Sequence, residues 1–226
     1  MRIGGLQKLT LLDFPQKVAC TVFLQGCNFR CPFCHNTPLL IGTQELAQDE
    51  LFNFLKKRQG MLDGVAVTGG EPLINSDIAS LLRKIKELGY AVKLDTNGSF
   101  PERLSALIDE NLVDYVAMDI KNSREKYELT AGAKDILPAV EKSVRLLLDG
   151  KIPYEFRTTI VDELHEPEDF HDIGHWLSGA GAYFLQSFVD SGQILSDGMS
   201  PPSKDKIEKC LAIASQYISN TQIRGL

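Results

Sequence analysis

Apolar, β-branched runs alternate with amphipathic stretches along the whole of this chain. The apolar runs predict strands of a parallel sheet, and the amphipathic stretches predict helices that cross back over it. Strands are predicted at about residues 17–25, 64–69, 91–96, 114–120, 154–161 and 182–189. Helices are predicted at about residues 45–59, 75–88, 102–111, 137–149, 168–178 and 203–218.

This alternation predicts an α/β fold. Six βα units in 226 residues favour a partial (β/α)6 barrel of parallel strands with outer helices. A doubly wound open sheet is the competing arrangement. No repeat or low-complexity linker interrupts the series, so we expect a single domain over residues 1–226.

Polar motifs lie at or near the ends of the predicted strands. In chain order they are Cys27, Gly69-Gly70-Glu71-Pro72, Asp95-Thr96-Asn97-Gly98, Met118-Asp119-Ile120-Lys121, Arg157 and Gln186. The carboxyl ends of parallel strands form the active face of βα folds. We therefore expect these residues to share one site.

The most specific motif is a set of three thiols, Cys27, Cys31 and Cys34, separated by three and two residues. Four thiolates close a structural zinc site or an electron-transfer iron–sulfur cluster, so three leave one metal corner open for a small molecule. The spacing could also be one face of a helix, but Pro32 within the run favours a loop. Cys20 and Cys210 lack the local spacing of a fourth ligand.

Composition narrows the class of protein. No window reaches the ~18 apolar residues of a membrane span, and the start of the chain lacks a signal-peptide core, so we expect a cytoplasmic protein with reduced thiols. The net charge of -6, without a long basic cluster, argues against nucleic-acid and membrane partners. Nucleophile-elbow, phosphate-loop and Ser-His-Asp motifs are absent. The chemistry is expected to come from a cofactor.

The remaining motifs each allow a structural and a functional interpretation. Gly69-Gly70-Glu71-Pro72 is either an ordinary βα turn or a close backbone approach to a ligand. Asp95-Thr96-Asn97-Gly98 is either an Asx turn or part of the site. Asp119 and Lys121, two apart on a strand, form either a salt bridge or a site for a zwitterion.

Two further charges bear on a ligand. Arg157 lies in a strand that is otherwise apolar and predicted to be buried, so its guanidinium needs a partner. A ligand carboxylate is one candidate. Asp95 and Asp119, on adjacent predicted strands, could share a hard cation, which would relieve their mutual repulsion.

With these motifs the chain resembles the radical S-adenosylmethionine (SAM) superfamily, and within it the glycyl-radical-enzyme activases. The segment from Leu11-Leu12-Asp13-Phe14-Pro15 to the cysteine run is similar to the amino end of anaerobic ribonucleoside-triphosphate reductase activating proteins. Residues 95–98 and 118–121 resemble motifs of pyruvate formate-lyase activase relatives.

The resemblance implies the cofactors and the reaction. One [4Fe–4S] cluster would bind Cys27, Cys31 and Cys34, with SAM on the fourth iron. An electron from flavodoxin or ferredoxin would cleave SAM to methionine and a 5′-deoxyadenosyl radical. That radical would take a hydrogen from the Cα of a glycine on a partner enzyme, for which anaerobic ribonucleoside-triphosphate reductase is the implied candidate.

The resemblance also implies residue roles. Phe33 would pack near the adenine, and Gly69, Gly70 and Glu71 would hold the amino end of the methionine moiety. The other expected SAM contacts are Asp95, Thr96, Asn97, Asp119, Lys121 and Arg157. A monovalent cation would bind Asp95, Thr96, Met118 and Asp119.

Two residues are assigned catalytic roles by the resemblance. They are Lys121 and Asp13, which aligns with an aspartate near the substrate glycine loop. Gln16 stands where the related proteins usually have a glycine, which changes the expected entry loop.

Two alternatives stay open at this point. The first is a radical SAM enzyme acting on a small molecule, of the 7-carboxy-7-deazaguanine synthase type. The second is a non-catalytic zinc-binding module with Cys27, Cys31, Cys34 and His35 as ligands, although adjacent Cys34 and His35 would chelate awkwardly.

Overall fold

The computed structural model of the protein describes residues 1–42, 45–190, 192 and 194–225. Within them one eight-stranded sheet follows the order of the chain from β1 to β8. The strands are β1 Ile3–Thr10, β2 Ala19–Leu24, β3 Gly64–Gly69, β4 Ala91–Thr96, β5 Tyr115–Asp119, β6 Tyr154–Ile160, β7 Tyr183–Ser187 and β8 Thr221–Arg224. Neighbours from β2 to β8 are parallel, whereas β1 is antiparallel to β2.

The predicted partial barrel is confirmed. Strands β2 to β7 are the six predicted strands, and the sheet ends at β1 on one side and β8 on the other without closing. The two end strands were not predicted. The middle of β1 alternates little between apolar and polar positions, and β8 is only four residues long, so neither carries a clear period-2 signal.

Helices cover the outer face of the sheet. They are α1 Thr37–Ile41, α2 Gln48–Arg58, α3 Ile78–Glu87, α4 Pro101–Asp109, α5 Tyr127–Ala131, α6 Leu137–Leu148, α7 Asp169–Trp176 and α8 Lys204–Ala214. The six longer helices match the predicted stretches to within four residues at each end. The two five-residue helices, α1 and α5, are too short to show a helical period in the sequence.

The strands bury apolar side chains outward against the helices and carry polar side chains inward. Val65 and Val67 of β3 are fully buried and belong to the same apolar core as Leu51 and Leu55 of α2. The alternate positions of β3, such as Thr68, turn toward the lumen of the barrel, since successive side chains of a strand alternate faces. The core therefore lies outside the sheet, and the lumen is left for polar chemistry.

The floor of the lumen, toward the amino ends of the strands, is closed by a buried ionic group. Glu155 is 1% exposed, and Arg224 of β8 donates to both of its carboxylate oxygens at 2.9 and 3.0 Å. Tyr115 donates its hydroxyl to Glu155 Oε2 at 3.0 Å. Strand β8 thus supplies the cation that makes an inward carboxylate tolerable on β6. No helix in the described part of the chain is long and apolar enough to cross a membrane.

Candidate active site

A cavity opens at the carboxyl ends of the parallel strands, where the sequence predicted a shared site. It is lined by Cys27, Phe29, Cys31, Phe33, Cys34, His35, Asn36, Thr68, Gly69, Gly70, Asp95, Thr96, Asn97, Asp119, Lys121, Arg157, Thr159 and Gln186. The three thiols, the aromatic Phe33 and most of the predicted SAM contacts are therefore brought together. Three predicted residues, Glu71, Met118 and Asp13, do not line the cavity.

The cysteine run forms a loop between β2 and α1, as Pro32 suggested. The amide of Cys34 donates to the carbonyl of Cys31 at 3.0 Å, which closes a tight turn between the second and third thiols. The amide of Arg30 donates to the carbonyl of Ala131 at 2.9 Å and ties the loop to α5. This anchoring holds the three thiols at one side of the cavity without a regular helix.

Gly69 and Gly70 are required by packing as well as by position. A Cβ on Gly70 would lie 2.0 Å from the carbonyl oxygen of Gly26, and a Cβ on Gly69 would lie 2.2 Å from that of Leu24. The amide of Gly70 already donates to the carbonyl of Leu24 at 3.0 Å, and that of Glu71 to the carbonyl of Gly26 at 2.8 Å. The turn therefore holds the cysteine loop against β3, and its glycines reach the cavity as lining backbone.

The side chain of Glu71, which was predicted to help hold the amino end of the methionine moiety, does not line the cavity. Its side chain is fully buried, and its carboxylate receives hydrogen bonds from the Leu73 amide at 3.0 Å, the Thr96 hydroxyl at 2.9 Å and the Asn97 amide at 2.6 Å. Burial raises the pKa of Glu71 to about 7, although these three donors favour the ionised form. Glu71 joins the ends of β3 and β4 and positions Thr96 and Asn97 for the cavity.

Charged side chains of three adjacent strands form one network in the lumen. Arg157 of β6 donates to Asp119 of β5 at 3.0 Å and to Asp95 of β4 at 3.2 Å, so it bridges both carboxylates. Lys93 pairs with Asp95, and Lys121 donates to Asp119 Oδ2 at 3.0 Å. A pair of aspartates thus supplies the partner that an inward Arg157 needs. All of these charged residues except Lys93 line the cavity.

The network strongly perturbs the charges that border the cavity. Burial alone would raise the pKa of Asp119, but Lys121 and Arg157 outweigh it and lower the pKa to about 2. Burial alone would lower the pKa of Lys121, but Asp119 outweighs it and raises that pKa above its ordinary value. Both groups are therefore ionised over the whole physiological range, as a site for a zwitterion requires.

The backbone that carries Lys121 is fixed from behind by a histidine that the sequence did not single out. His165 is fully buried, its Nε2 lies 2.8 Å from the carbonyl of Lys121, and its Nδ1 accepts from the amide of Val161 at 3.1 Å. Since a carbonyl only accepts, Nε2 carries the proton. Burial lowers the pKa of His165, which keeps this neutral form. Asn122 adds a second link, to the carbonyl of Leu164 at 2.9 Å.

Asp13 lies away from the cavity but on the lumen side of the sheet. Its Oδ2 accepts from Thr21 Oγ1 at 2.5 Å. Thr21 shares a face of β2 with Phe23, which is in register with the cavity-lining Thr68. Gln16 adopts a φ of 61°, so it keeps the left-handed backbone that a glycine would supply at this position.

Several residues that line the cavity were not among the predicted site residues. Thr159 follows Arg157 by two positions, and strand alternation could have placed it on the same face. His35 stacks on Phe188 of the segment after β7, with ring centroids 5.1 Å apart. Asn36 donates to the carbonyl of Gly69 at 3.0 Å. The contacts of His35 and Asn36 join residues that are far apart in the sequence, so no local pattern predicts them.

Comparison with known proteins identifies the family of this site. Residues 21–177 match the family model described as the radical SAM superfamily. This span begins on β2 and ends just after α7, so it contains the cysteine loop and the charged network. The chain belongs to the radical SAM superfamily. The resemblance inferred from the cysteine motif is thereby confirmed.

Named relatives of this radical SAM chain extend over nearly its whole length. A Methanocaldococcus jannaschii protein with the provisional name glycyl-radical enzyme activating enzyme is 31% identical over 99% of this chain and 96% of its own length. The pyruvate formate-lyase-activating enzyme of Listeria monocytogenes is 28% identical over 78% of this chain and 75% of its own length.

Solved structures agree on the radical SAM fold. A domain of pyruvate-formate lyase-activating enzyme from Bacteroides vulgatus superposes with a TM-score of 0.59 at 17% identity, covering 72% of this chain and 99% of that domain. Streptococcus suis SuiB bound to S-adenosylmethionine gives a TM-score of 0.70 at 13% identity, covering 89% of this chain and 49% of that protein. The chain is a radical SAM enzyme, and its cofactors are a [4Fe–4S] cluster and SAM.

The donor set at the cavity fits a cluster better than a single ion. Among the residues that the structure describes, no group of three or more His, Cys, Asp or Glu side chains converges on one ion position. Cys27, Cys31 and Cys34 all line the same cavity, so each could bind a separate iron of a cluster. The zinc module would need Cys27, Cys31, Cys34 and His35 at one ion position, and the ring of His35 is stacked on Phe188 instead.

The thiols need the metal in order to ionise. Burial raises the pKa of Cys31 to about 11, and the nearby charge of Lys121 only partly opposes this effect. Burial also raises the pKa of Cys27. Thiolates are the metal ligands, so binding a cluster here must release protons. Lys121 is well placed to stabilise the negative charge that the bound thiolates bring.

Proposed function

We propose that this radical SAM enzyme is a glycyl-radical-enzyme activase whose partner is anaerobic ribonucleoside-triphosphate reductase. The observation that carries the proposal is the similarity to a glycyl-radical enzyme activating enzyme over 99% of the chain. When bound, the reduced cluster and SAM would supply a 5′-deoxyadenosyl radical, which removes a hydrogen atom from the Cα of one glycine of the partner. Flavodoxin or ferredoxin would provide the electron.

Cys27, Cys31 and Cys34 would hold three irons of the cluster, and the fourth iron would take SAM. No fourth thiol lines the cavity among the described residues, because Cys20 and Cys210 are both buried elsewhere in the core. The amino and carboxylate groups of SAM are therefore suited to complete the metal site. Phe33, which is 5% exposed and lines the same cavity, would pack against the adenine.

The charged network would orient the methionine moiety of SAM. Its carboxylate could accept from Lys121 and its amino group could donate to Asp119, since these two side chains are both ionised and lie 3.0 Å apart at the cavity wall. Arg157 would hold Asp119 in place and contact a polar group of the ligand. Asn97 would add an amide to the same wall, where its Nδ2 donates to Asn28 Oδ1 at 3.1 Å.

The monovalent cation would have to compete with the cationic side chains of the protein. Asp95 and Asp119 repel each other less than expected because Arg157 already bridges them. The side chain of Met118 is fully buried, so only its carbonyl could contribute, together with Thr96. We propose that a cation binds here only when SAM adds its carboxylate to these oxygens.

Asp13 would act on the substrate side of the lumen rather than on SAM. Asp13 accepts a hydrogen bond from Thr21, whose side chain is on the same inward face of β2 as that of Phe23. Phe23, which is in register with the cavity-lining Thr68, is two residues further along β2 than Thr21, a distance of about 7 Å. A glycine entering from the open side of the barrel would pass Asp13 before it reached the cavity.

The test is a glycyl-radical assay with a panel of partners. The chain is reconstituted anaerobically with iron and sulfide, reduced, and mixed with SAM and purified anaerobic ribonucleoside-triphosphate reductase or pyruvate formate-lyase. We expect a glycyl-radical EPR signal with the reductase. A signal with pyruvate formate-lyase alone would refute the partner. SAM cleavage without radical on either protein would refute the activase and favour a small-molecule substrate.

A further inference from the structure

Three leucines lie exposed together where β1 turns toward β2. Leu9 is 58% exposed, Leu11 is 68% exposed and Leu12 is 89% exposed. Single exposed apolar residues are common, but a contiguous group of them marks an interaction site. We call this group, Leu9 with Leu11 and Leu12, the leucine turn.

The leucine turn is held in shape by the residues between and after the leucines. Thr10 is 5% exposed, and its hydroxyl accepts from the amides of Leu12 at 3.2 Å and Asp13 at 3.1 Å. Phe14 is 2% exposed and packs so close to the start of β3 that a Cβ on Gly64 would lie 2.8 Å from its ring. The leucines are therefore presented by a built turn, which lowers the entropy cost of binding.

The leucine turn lies beside the open side of the barrel. It is attached to β1, which is one edge of the unclosed sheet. Asp13 follows it directly and reaches Thr21 on the lumen face of β2. A macromolecule that covered the turn would thus lie next to the lumen that leads to the cavity. A substrate as small as a metabolite would not need such a surface.

Cationic side chains lie around the leucine turn. Lys8 precedes it, Lys17 lies over the ring of Phe14, and Arg58 contacts the exposed Met61 of the turn before β3. None of these three cations has an ion-pair partner among the described residues.

The carboxylates nearby are directed to donors of the chain itself. Asp63 accepts from the Val18 amide at 2.9 Å, and Asp13 accepts from Thr21. These two carboxylates keep their charge but are outnumbered by the three cations, so the border of the turn is net positive in a chain with a net charge of -6. It would attract an acidic surface and would repel a second copy of the same turn.

We propose that the leucine turn is the docking surface for the protein that carries the substrate glycine, and that it binds an apolar patch with an acidic rim on that protein. This inference rests on the proposed function. Docking at the turn would hold the partner against the open side of the barrel while its glycine segment entered past Asp13. The turn would affect recognition of the partner and leave the chemistry of SAM unchanged.

The test compares Leu9→Ser/Leu11→Ser/Leu12→Ser with Leu129→Ser. Leu129 is 76% exposed on α5, which follows the carboxyl end of β5, so it is a matched apolar loss at the other end of the strands. Iron content and dithionite-driven SAM cleavage without partner should be unchanged in both variants. The KM for anaerobic ribonucleoside-triphosphate reductase should rise at least tenfold in the triple variant and less than twofold in the control.

The basic border is tested by Lys8→Glu/Lys17→Glu. The wild-type KM should rise with added NaCl, since salt screens the attraction between the two proteins. The double variant should have a higher KM at low salt and a weaker salt dependence. Equal salt dependence in both proteins would overturn the charge complementarity.

Other outcomes would overturn the docking role. An unchanged KM in the triple variant, with radical formed normally, would overturn it while leaving the activase intact. Loss of partner-free SAM cleavage would show that the turn belongs to the catalytic fold. If the wild-type protein sediments with phosphatidylglycerol vesicles and the triple variant does not, the turn binds a membrane. If the wild-type protein is a dimer and the triple variant is not, the turn binds a second copy of the chain. If the wild-type protein cleaves SAM but radicalises no partner, the proposed function fails as well.

Discussion

Asp119 is the residue through which the charged network can be tested in depth. It accepts from Lys121 at 3.0 Å and from two nitrogens of Arg157 at 3.0 and 2.9 Å. Asp119→Asn would remove the negative charge that these cations share. Arg157 would keep Asp95 as a partner, whereas Lys121, with 15% of its side chain exposed, would lose its ion pair. We therefore expect a loss of stability as well as a loss of SAM binding.

The magnitude follows from the pKa of Asp119. A pKa of about 2 in the folded chain, against an ordinary value near 3.9, corresponds to about 2.5 kcal/mol at pH 7. The side chain is 34% exposed, so solvent screening reduces this contribution to about 1.5 kcal/mol. Leaving Lys121 without its carboxylate adds to the cost. The expected total is about 2 kcal/mol.

The pH dependence gives the sign of the effect. Because the pKa of Asp119 is lower in the folded chain, its contribution is complete above about pH 4 and is lost as the pH falls through about 2. The free energy of unfolding in urea is measured anaerobically for wild type and Asp119→Asn between pH 7 and pH 2.5. The difference between the two proteins should shrink over the acidic part of this range.

The control for this prediction is Asp109→Asn. Asp109 pairs with Lys151 at 3.5 Å, and both side chains are more than half exposed, so the change should cost at most about 0.5 kcal/mol. A difference of less than about 0.5 kcal/mol for Asp119→Asn at pH 7 would refute the reasoning. So would a full difference that persists at pH 2.5.

Three further changes test separate parts of the site. Cys31→Ala should abolish cluster assembly and SAM cleavage, measured by iron content and methionine release; a variant that keeps a full cluster would contradict the ligand assignment. Lys121→Met should retain the cluster absorbance but raise the Kd for SAM at least tenfold by isothermal titration, and normal affinity would exclude a contact with SAM. Gly70→Ala should destabilise the chain by about 3 kcal/mol in urea unfolding, since its Cβ would meet the carbonyl of Gly26 at 2.0 Å. A Cβ on Gly181 would meet nothing within 4 Å, so the control Gly181→Ala should change the stability by less than about 0.5 kcal/mol. Equal losses of stability in Gly70→Ala and Gly181→Ala would refute the packing argument.

The location of the site could be predicted because it depends on strand order. Consecutive βα units place Gly69, Asp95 and Asp119 at the carboxyl ends of neighbouring strands, whatever the details of the barrel. The loop form of the cysteine run could be predicted from Pro32, which disfavours a helix there. Both predictions need only local sequence and the handedness of the fold.

The partners of individual side chains could not be predicted, because they depend on register between strands. Arg157 meets Asp119 since these two residues are paired in register on β6 and β5. Glu71 turns away from the cavity because Thr96 and Asn97 of the next strand supply donors to it. The motif Gly69-Gly70-Glu71-Pro72 contains no information about those donors, so the direction of its carboxylate could not be predicted.

The most direct test of the activase is the fate of the hydrogen that it removes. Anaerobic ribonucleoside-triphosphate reductase labelled with [2,2-²H₂]glycine is incubated with the reduced, reconstituted protein and SAM. The 5′-deoxyadenosine formed is then analysed by mass spectrometry. We predict one deuterium in each 5′-deoxyadenosine and one glycyl radical formed with it. Unlabelled 5′-deoxyadenosine, produced while the reductase carries no radical, would contradict the account.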